Sequence, residues 1–276
     1  MATSFKYPDV VDISGAAAAW WRRLVLAASF LTCLPVARKA LTATVEEVLP
    51  ATRTPAELTR ATGLFPLIGA ALGVVAGLAL MGAFQLGLHP LACAFVALAT
   101  SIALTGALHE DGLGDFADGL GGATREDRLR IMRDNRIGTF GTLALLFGVG
   151  IRASILSGLT SPEAAALALI TAGAISRAVL PPVMRWQRPA RAEGLAAGVG
   201  APSNAEVATA VVLALLIGLF TAGFWASLLV AVVAGLAALA VAVLAQRTLG
   251  GHTGDVLGAV QVVAEVAALA AIAAVE

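Results

Sequence analysis

Long apolar stretches alternate with short polar ones over most of the chain. The longer stretches run to about 20 residues, enough for a membrane span, and show no two-residue alternation. Lipid offers the backbone no hydrogen-bond partners, so such a stretch crosses the membrane as a helix. The pattern predicts an all-α, polytopic transmembrane helix bundle with about seven spans, at residues 64–87, 91–109, 139–159, 164–184, 206–222, 225–245 and 256–275.

The first 60 residues have a different pattern, because polar and apolar residues are mixed there. Their apolar run at 24–36 is about 13 residues long, which is too short to span a bilayer. We therefore predict an N-terminal interfacial or re-entrant helix that ends at Pro35, with residues 20–23 at the membrane surface. Residues 1–60 would form a cytoplasmic or interfacial arm and residues 61–276 the transmembrane bundle, both within a single integral membrane domain.

Charge is scarce and unevenly distributed. Only 13% of the residues are charged, against about 25% in soluble domains. Sixteen of the eighteen basic residues fall in the arm and in three loops, at 110–138, 185–205 and 246–255. Because short basic loops stay in the cytoplasm, we predict a cytoplasmic N-terminus and a C-terminus on the other side. The zero net charge argues against nucleic acid as the main partner.

The loop at 110–138 opens with acidic residues separated by glycines. Asp111, Asp115 and Asp118 are spaced i, i+4, i+7, and on a helix this places them on one face. Like charges this close repel one another, so the arrangement predicts a bound cation. Carboxylate oxygens suit Mg²⁺ or Mn²⁺, with phosphate oxygens completing the shell. The alternative is an acidic, solvated loop.

The same loop continues with five arginines between Thr124 and Gly138, which we interpret as a helix with Thr124 as its N-cap and Gly138 as its stop. The arginines cannot all face one ligand. Some are expected to bind phosphate through their fork geometry, and others to contact lipid headgroups. Acids for metal and arginines for phosphate at one membrane face suggest transfer of a phosphate-linked group from a nucleotide-activated donor.

Four ionisable residues lie in the predicted spans or at their ends, where burial of a charge is costly. For Arg177 and Asp255 we favour a functional role over structural pairing. For Arg152 and Glu265 the two alternatives remain equal. Asp255 follows His252 and Thr253 in a glycine-rich segment, which makes that histidine more interesting than an isolated one.

Four motifs in order resemble cobalamin synthase, also called adenosylcobinamide-GDP ribazoletransferase: LHEDGLGDFADGL, RIMRDNRIGTFG, PARAEGLA and GGHTGDVLGA. The similarity extends from about Phe30 to Glu265. It implies a Mg²⁺-dependent, multi-pass enzyme of the bacterial inner membrane whose active site faces the cytoplasm. Such an enzyme would join α-ribazole, or its 5′-phosphate, to adenosylcobinamide-GDP. GMP would be released, and adenosylcobalamin or its 5′-phosphate would form.

The resemblance and the residue patterns together define the predicted site. The predicted catalytic residues are Asp111, Asp115, Asp118 and Asp255, of which the first three are also the predicted metal ligands. The predicted substrate-binding residues are Arg133, Asp134, Arg136, Arg177, Arg191, His252 and Thr253. The chain departs from the expected motifs at three positions, with Cys33 in place of a basic residue, Glu110 in place of an apolar one and Asn135 in place of serine.

Two other functions fit parts of the pattern. A CDP-alcohol phosphotransferase also uses a spaced Asp-Gly box on a membrane helix, but its Ala-Arg pair is replaced here by Leu113 and Gly114. A transporter would place its polar groups near the midplane on broken helices, within inverted repeats, and no such repeat is visible. The expected partners are the small-molecule substrates and the lipid bilayer. The sequence leaves open whether the chain forms a homo-oligomer.

Overall fold

The computed structural model describes residues 13–34, 55–191 and 198–276. Over these ranges the chain is helical apart from turns and one isolated β-bridge, between Pro189 and His252. The predicted all-α class is therefore confirmed. The helices are α1 Ile13–Leu31, α2 Pro55–Ala61, α3 Phe65–Gln85, α4 Pro90–Thr105, α5 Leu108–Gly119, α6 Arg125–Ile131, α7 Thr139–Gly158, α8 Pro162–Ala178, α9 Leu180–Trp186, α10 Asn204–Ala222, α11 Phe224–Leu249 and α12 Gly254–Ala273.

Membrane spans are provided by most of these helices. In the described ranges, six stretches are long and apolar enough to cross a bilayer, and the bent pair α4 and α5 makes up to seven. This agrees with the predicted number, and the chain is a membrane protein. The six are Ala56–Gln85, Thr139–Gly158, Pro162–Trp186, Asn204–Ala222, Phe224–Leu249 and Gly254–Ala273.

The second predicted span, at 91–109, is wrong, because the chain does not continue as one straight helix through these residues. Helix α4 ends at Thr105, and α5 leaves it at an angle of 90°. Gly106 and Ala107 both adopt left-handed φ values, 63° and 59°, which stop α4 and turn the chain. The 16 residues of α4 rise about 24 Å, less than the ~30 Å of a bilayer core. The acidic segment thus begins within the protein rather than in a loop outside it.

The N-terminal helix also differs from its predicted limits. Helix α1 begins at Ile13 within an alanine-rich segment of high helix propensity, and it ends at Leu31. The predicted end, Pro35, lies outside the described residues. After α1 the amide of Cys33 donates to the carbonyl of Leu104 (2.9 Å), which draws the chain away from the helix axis. Phe30 stacks on Phe65 at 5.7 Å, so α1 is packed on the start of α3.

Helix α12 lies at the centre of the bundle. It contacts α5, α7, α8 and α11, and most of its side chains are buried. Helices α10 and α11 lie at the periphery, where large apolar side chains such as Phe220 and Trp225 are exposed by 86% and 78%. Apolar side chains on the outside of a helical bundle are the expected surface for lipid.

Candidate active site

The position of α5 depends on a close approach to α12. A Cβ added to Gly112 would lie 2.8 Å from the carbonyl oxygen of Asp255, and one added to Gly258 would lie 2.9 Å from that of His109. Only glycine allows two helix backbones to come this close. The contact brings the acidic face of α5 next to Asp255, in the first turn of α12.

A polar cavity of about 460 Å³ lies over the acidic face of α5. Asp111 and Asp115 line it from the helix, and neither side chain has a hydrogen-bond partner among the described residues. The segment that follows α6 covers the cavity from the other side. The full lining consists of Asp111, Gly114, Asp115, Met132, Arg133, Asp134, Asn135, Arg136, Ile137 and Leu145.

The covering segment owes its shape to an early end of α6. Thr124 is the N-cap, as predicted, and accepts from the amide of Asp127 at 3.1 Å. The predicted stop at Gly138 is wrong, because α6 ends at Ile131 and Gly138 is instead the N-cap residue of α7. Buried Met132 packs against Gly119 at the end of α5 and holds the segment down.

Three of the predicted substrate-binding residues lie in this segment. Arg136 forms a fork with Asp134, with Nε to Oδ1 at 3.1 Å and Nη2 to Oδ2 at 2.8 Å. These hydrogen bonds hold the pKa of the Asp134 carboxyl below its usual value. Arg133 lines the cavity without an ion pair to any described residue. The segment therefore presents one paired and one unpaired guanidinium to a ligand.

Asp118 has a different environment from the other two acids of its motif. Its carboxylate accepts from the amides of Gly138 (2.6 Å) and Gly141 (2.8 Å), so it caps the first turn of α7. Both oxygens are thus engaged by protein, and Asp118 does not line the cavity. Within the described residues, no three His, Cys, Asp or Glu side chains are grouped closely enough to hold a metal ion.

Asp255 and Arg191 extend the charged cluster beside Asp115. The carboxylates of Asp111, Asp255 and Asp118 repel that of Asp115, while Arg191 attracts it. Arg191 lies 3.7 Å from Asp255 and also donates to the carbonyl of Leu129 at 3.1 Å. The structure therefore brings these two predicted residues beside Asp115, although neither lines the cavity.

His252 and Thr253 lie next to Asp255, where the chain enters α12. Thr253 is the N-cap of α12, accepting from the amide of Val256, and its hydroxyl donates to Asp255 at 3.2 Å. The backbone of His252 pairs with Arg188 and Ala190. Both side chains are buried and neither lines the cavity. Their predicted contact with substrate stays a prediction, and their positions favour a role in placing Asp255.

Arg177 lies away from the cavity, in a buried network of four charges. It donates to Glu265 at 3.3 Å, and Glu265 also contacts Arg152 at 3.2 Å. Arg152 reaches Glu110 on α5 at 3.0 Å. This placement favours the structural alternative that the sequence left open for Arg152, Glu265 and Arg177, and it gives the unexpected Glu110 a partner.

Two arginines of α6 have roles that the sequence did not reveal. Arg125 donates to the carbonyls of Leu249 and Ala190, both at 2.7 Å, and Arg128 donates to Thr248 at 3.2 Å. Arginine here satisfies carbonyls at the end of α11 that lack intrahelical partners. These contacts anchor α6 and the covering segment to the bundle. Each of these contacts joins residues more than 60 positions apart in the sequence, so no local sequence pattern predicts them.

Comparison with known proteins identifies the family. The model of the cobalamin-5-phosphate synthase family matches residues 23–273, which is most of the chain. The chain belongs to the cobalamin-5-phosphate synthase family. Its acidic helix, arginine segment and α12 cap all fall within the matched range, and this membership favours the resemblance found in the sequence over a CDP-alcohol phosphotransferase or a transporter.

Three relatives of the chain share a name. An adenosylcobinamide-GDP ribazoletransferase of Azorhizobium caulinodans is 46% identical over 222 residues, covering 78% of this chain and 84% of that protein. The protein of that name from Allorhizobium ampelinum is 44% identical over 226 residues, 79% and 86% of the two chains. The one from Bradyrhizobium diazoefficiens is 41% identical over 252 residues, 91% and 93%. No solved structure matches the chain.

Proposed function

We propose that this chain is the membrane transferase that joins α-ribazole, or its 5′-phosphate, to adenosylcobinamide-GDP. GMP leaves, and adenosylcobalamin or its 5′-phosphate is the product. The observation that carries the proposal is the cavity of α5, where two unpartnered carboxylates face an arginine segment. Family membership and the names of the relatives support the same reaction. We place the protein in the bacterial inner membrane with this cavity on the cytoplasmic side, since the basic loops lie on that face.

Mg²⁺ fits the donor set at the cavity. Mg²⁺ is usually bound by one or two carboxylates together with substrate phosphates and water. Asp111 and Asp115 lie four residues apart on one helix face, they are not bonded to other described side chains, and Asp255 adds to their repulsion. We propose Asp111 and Asp115 as the ligands and assign Asp118 to the support of α7. When bound, the ion would neutralise the pyrophosphate and stabilise the leaving group.

The covering segment binds the diphosphate, and the acceptor supplies the nucleophile. Arg133 binds phosphate oxygens through its free guanidinium fork, and Arg136 contributes the edge of its guanidinium that the pair with Asp134 leaves free. The ribazole oxygen attacks the phosphorus on the cobinamide side. A new P–O bond forms there, and the bond to the bridging oxygen breaks, so that this oxygen and its electron pair leave with GMP.

A carboxylate accepts the proton when the nucleophile is a hydroxyl. Asp118 is poorly suited, because backbone amides engage both of its oxygens. Asp255 is better placed, beside Asp115, with Arg191 and the Thr253 hydroxyl both directed at Oδ2. We therefore propose Asp255 as the base and Arg191 as the group that holds its carboxylate beside Asp115.

The assay is release of GMP from adenosylcobinamide-GDP by purified protein in detergent or nanodiscs. We expect release that requires both Mg²⁺ and α-ribazole or its phosphate, with formation of the corresponding cobalamin. Asp115→Asn serves as the control for contaminating activity, since it should fold and be nearly inactive. A folded protein that releases no GMP with either acceptor would contradict the proposal, and release that is independent of Mg²⁺ would contradict its metal part.

A further inference from the structure

A second and larger cavity shares no lining residue with the cavity of α5. It is a groove of about 830 Å³ between α8–α9, α10 and α11. Helix α10 packs against α8, and α11 packs against α12, while α10 and α11 meet near the turn that joins them. There Ser227 lies against Gly218 and is directed at the carbonyl of Leu215. The two helices diverge from this point, and the groove fills the gap.

The lining of the groove suits acyl chains along most of its length. Along α11 it extends from Ala231 to Arg247, which at 1.5 Å per residue is about 24 Å. The apolar part of one membrane leaflet, half of the hydrocarbon core, is about 15 Å thick, so the length of the groove accommodates lipid chains. Helices α10 and α11 carry exposed apolar side chains beside it, such as Val212 and Leu228. The groove therefore opens to the lipid surface.

One end of the groove has a different chemistry. Trp186, Arg188 and Arg247 line it at the membrane face that also carries α6. Both arginines are exposed, and neither has an ion pair with a described residue. No acidic side chain of the described ranges lines the groove. The backbone of Arg188 is fixed by the pairing of its carbonyl with the amide of His252 at 3.1 Å.

We propose that this groove binds one phospholipid with an anionic headgroup. The acyl chains lie along α11, and the phosphate lies between Arg188 and Arg247. Arginine in a basic pocket between membrane helices is suited to such headgroups, and Trp186 occupies the interfacial level that indole side chains favour. This site is separate from the transferase cavity, and the proposal does not depend on the reaction assigned to that cavity.

The test is native mass spectrometry of delipidated protein offered equal amounts of dioleoylphosphatidylglycerol and dioleoylphosphatidylcholine. We expect one retained phosphatidylglycerol per chain. Each arginine near the surface contributes about a fivefold preference, so Arg188→Gln with Arg247→Gln should reduce the preference roughly 30-fold. The control is Arg60→Gln with Arg130→Gln, which removes two exposed arginines away from the groove and should change nothing.

A second pair of variants tests the groove itself. A Cβ on Gly235 meets open space inside the groove, and a Cβ on Gly150 meets open space on α7. Gly235→Leu should therefore fold and displace the lipid, whereas Gly150→Leu should retain it. Thermal unfolding verifies the fold of each variant. Lipid retention by Gly235→Leu equal to that of wild type, or equal retention of the two lipids by wild type, would overturn the proposal. A lipid-free dimer that Gly235→Leu disrupts would assign the groove to a second copy and overturn it as well.

Discussion

Two clusters of acidic and basic side chains share α5 but have opposite environments. Glu110 points into the bundle, where its carboxylate meets Arg152 and both side chains are nearly inaccessible, at 11% and 3% exposure. Asp111, the next residue, lines an open cavity together with Asp115. A buried charge is tolerated when it is paired and hydrogen-bonded. Unpaired carboxylates that face a cavity are available to a ligand, so the comparison separates structural from functional charge on one helix.

The buried cluster is balanced in charge and rich in hydrogen bonds. Arg152 and Arg177 face Glu110 and Glu265, and Gln261 donates to both Glu265 and Ser176. These residues join α5, α7, α8 and α12 in the membrane interior. The cavity cluster has three carboxylates around Asp115, and among the described residues Arg191 is the base that acts on Asp115 directly. The excess of negative charge there is what a cation would relieve.

The largest expected effect is on turnover when the cavity carboxylates are changed. Asp111→Asn and Asp115→Asn keep the side-chain size and remove one negative charge each. We expect GMP release to fall by roughly 10²–10³-fold, as when a single preorganised electrostatic contact to the transition state is lost. Thermal stability without metal should stay equal or rise, because like-charge repulsion is reduced. Near-normal turnover in both folded variants would remove the distinction between the two clusters.

The buried cluster should respond in stability instead. Glu265→Gln leaves Arg152 and Arg177 buried with one carboxylate between them, and we expect a loss of about 3 kcal/mol or more in the free energy of unfolding. The control is Glu126→Gln, because that side chain is 79% exposed and a surface pair contributes about 0–1 kcal/mol. Thermal unfolding in one detergent measures both. A loss as small as that of the control would contradict the structural role.

A charge-balanced double variant sharpens the same point. Glu110→Leu combined with Arg152→Leu removes one acid and one base and leaves the Arg177–Glu265 pair intact. The double variant should be more stable than either single variant, since each single variant leaves the buried cluster with one uncompensated charge. Strict additivity of the two single losses would show that the pair is not coupled.

A smaller effect distinguishes the arginines of the two clusters. Lysine keeps the charge of arginine but loses its fork. Arg136→Lys should raise the KM for adenosylcobinamide-GDP several-fold with unchanged thermal stability, because Arg136 is exposed in the covering segment. Arg177→Lys should lower thermal stability and leave KM nearly unchanged. The reverse pattern would place Arg177 at the substrate, which is the role that its position inside a predicted span favoured.

Much of the fold was predictable because lipid imposes helices on long apolar segments. The bend after α4 was not, since alanine rarely adopts the left-handed conformation that Ala107 has. The spacing of the acids predicted a shared face if the segment is helical, and Asp111 and Asp115 do share a face of α5, although the segment itself was assigned to a loop. The separate role of Asp118 depends on amides 20 and 23 residues later. The pairing of Arg177 with Glu265 joins residues 88 apart, and one sequence contains no signal for such contacts.

In the proposed site, Asp111 and Asp115 hold the metal and Asp118 supports α7. The most direct test is equilibrium binding of Mn²⁺, a spectroscopic substitute for Mg²⁺, followed by electron paramagnetic resonance with adenosylcobinamide-GDP present and no acceptor. We predict that wild type and Asp118→Asn bind Mn²⁺ with similar affinity, while Asp115→Asn loses at least tenfold. Asp118→Asn should show its effect in thermal stability, because it loses one of the two side-chain oxygens that accept from backbone amides of α7. Equal loss of Mn²⁺ affinity in folded Asp118→Asn and Asp115→Asn, or no loss in Asp115→Asn, would contradict the account.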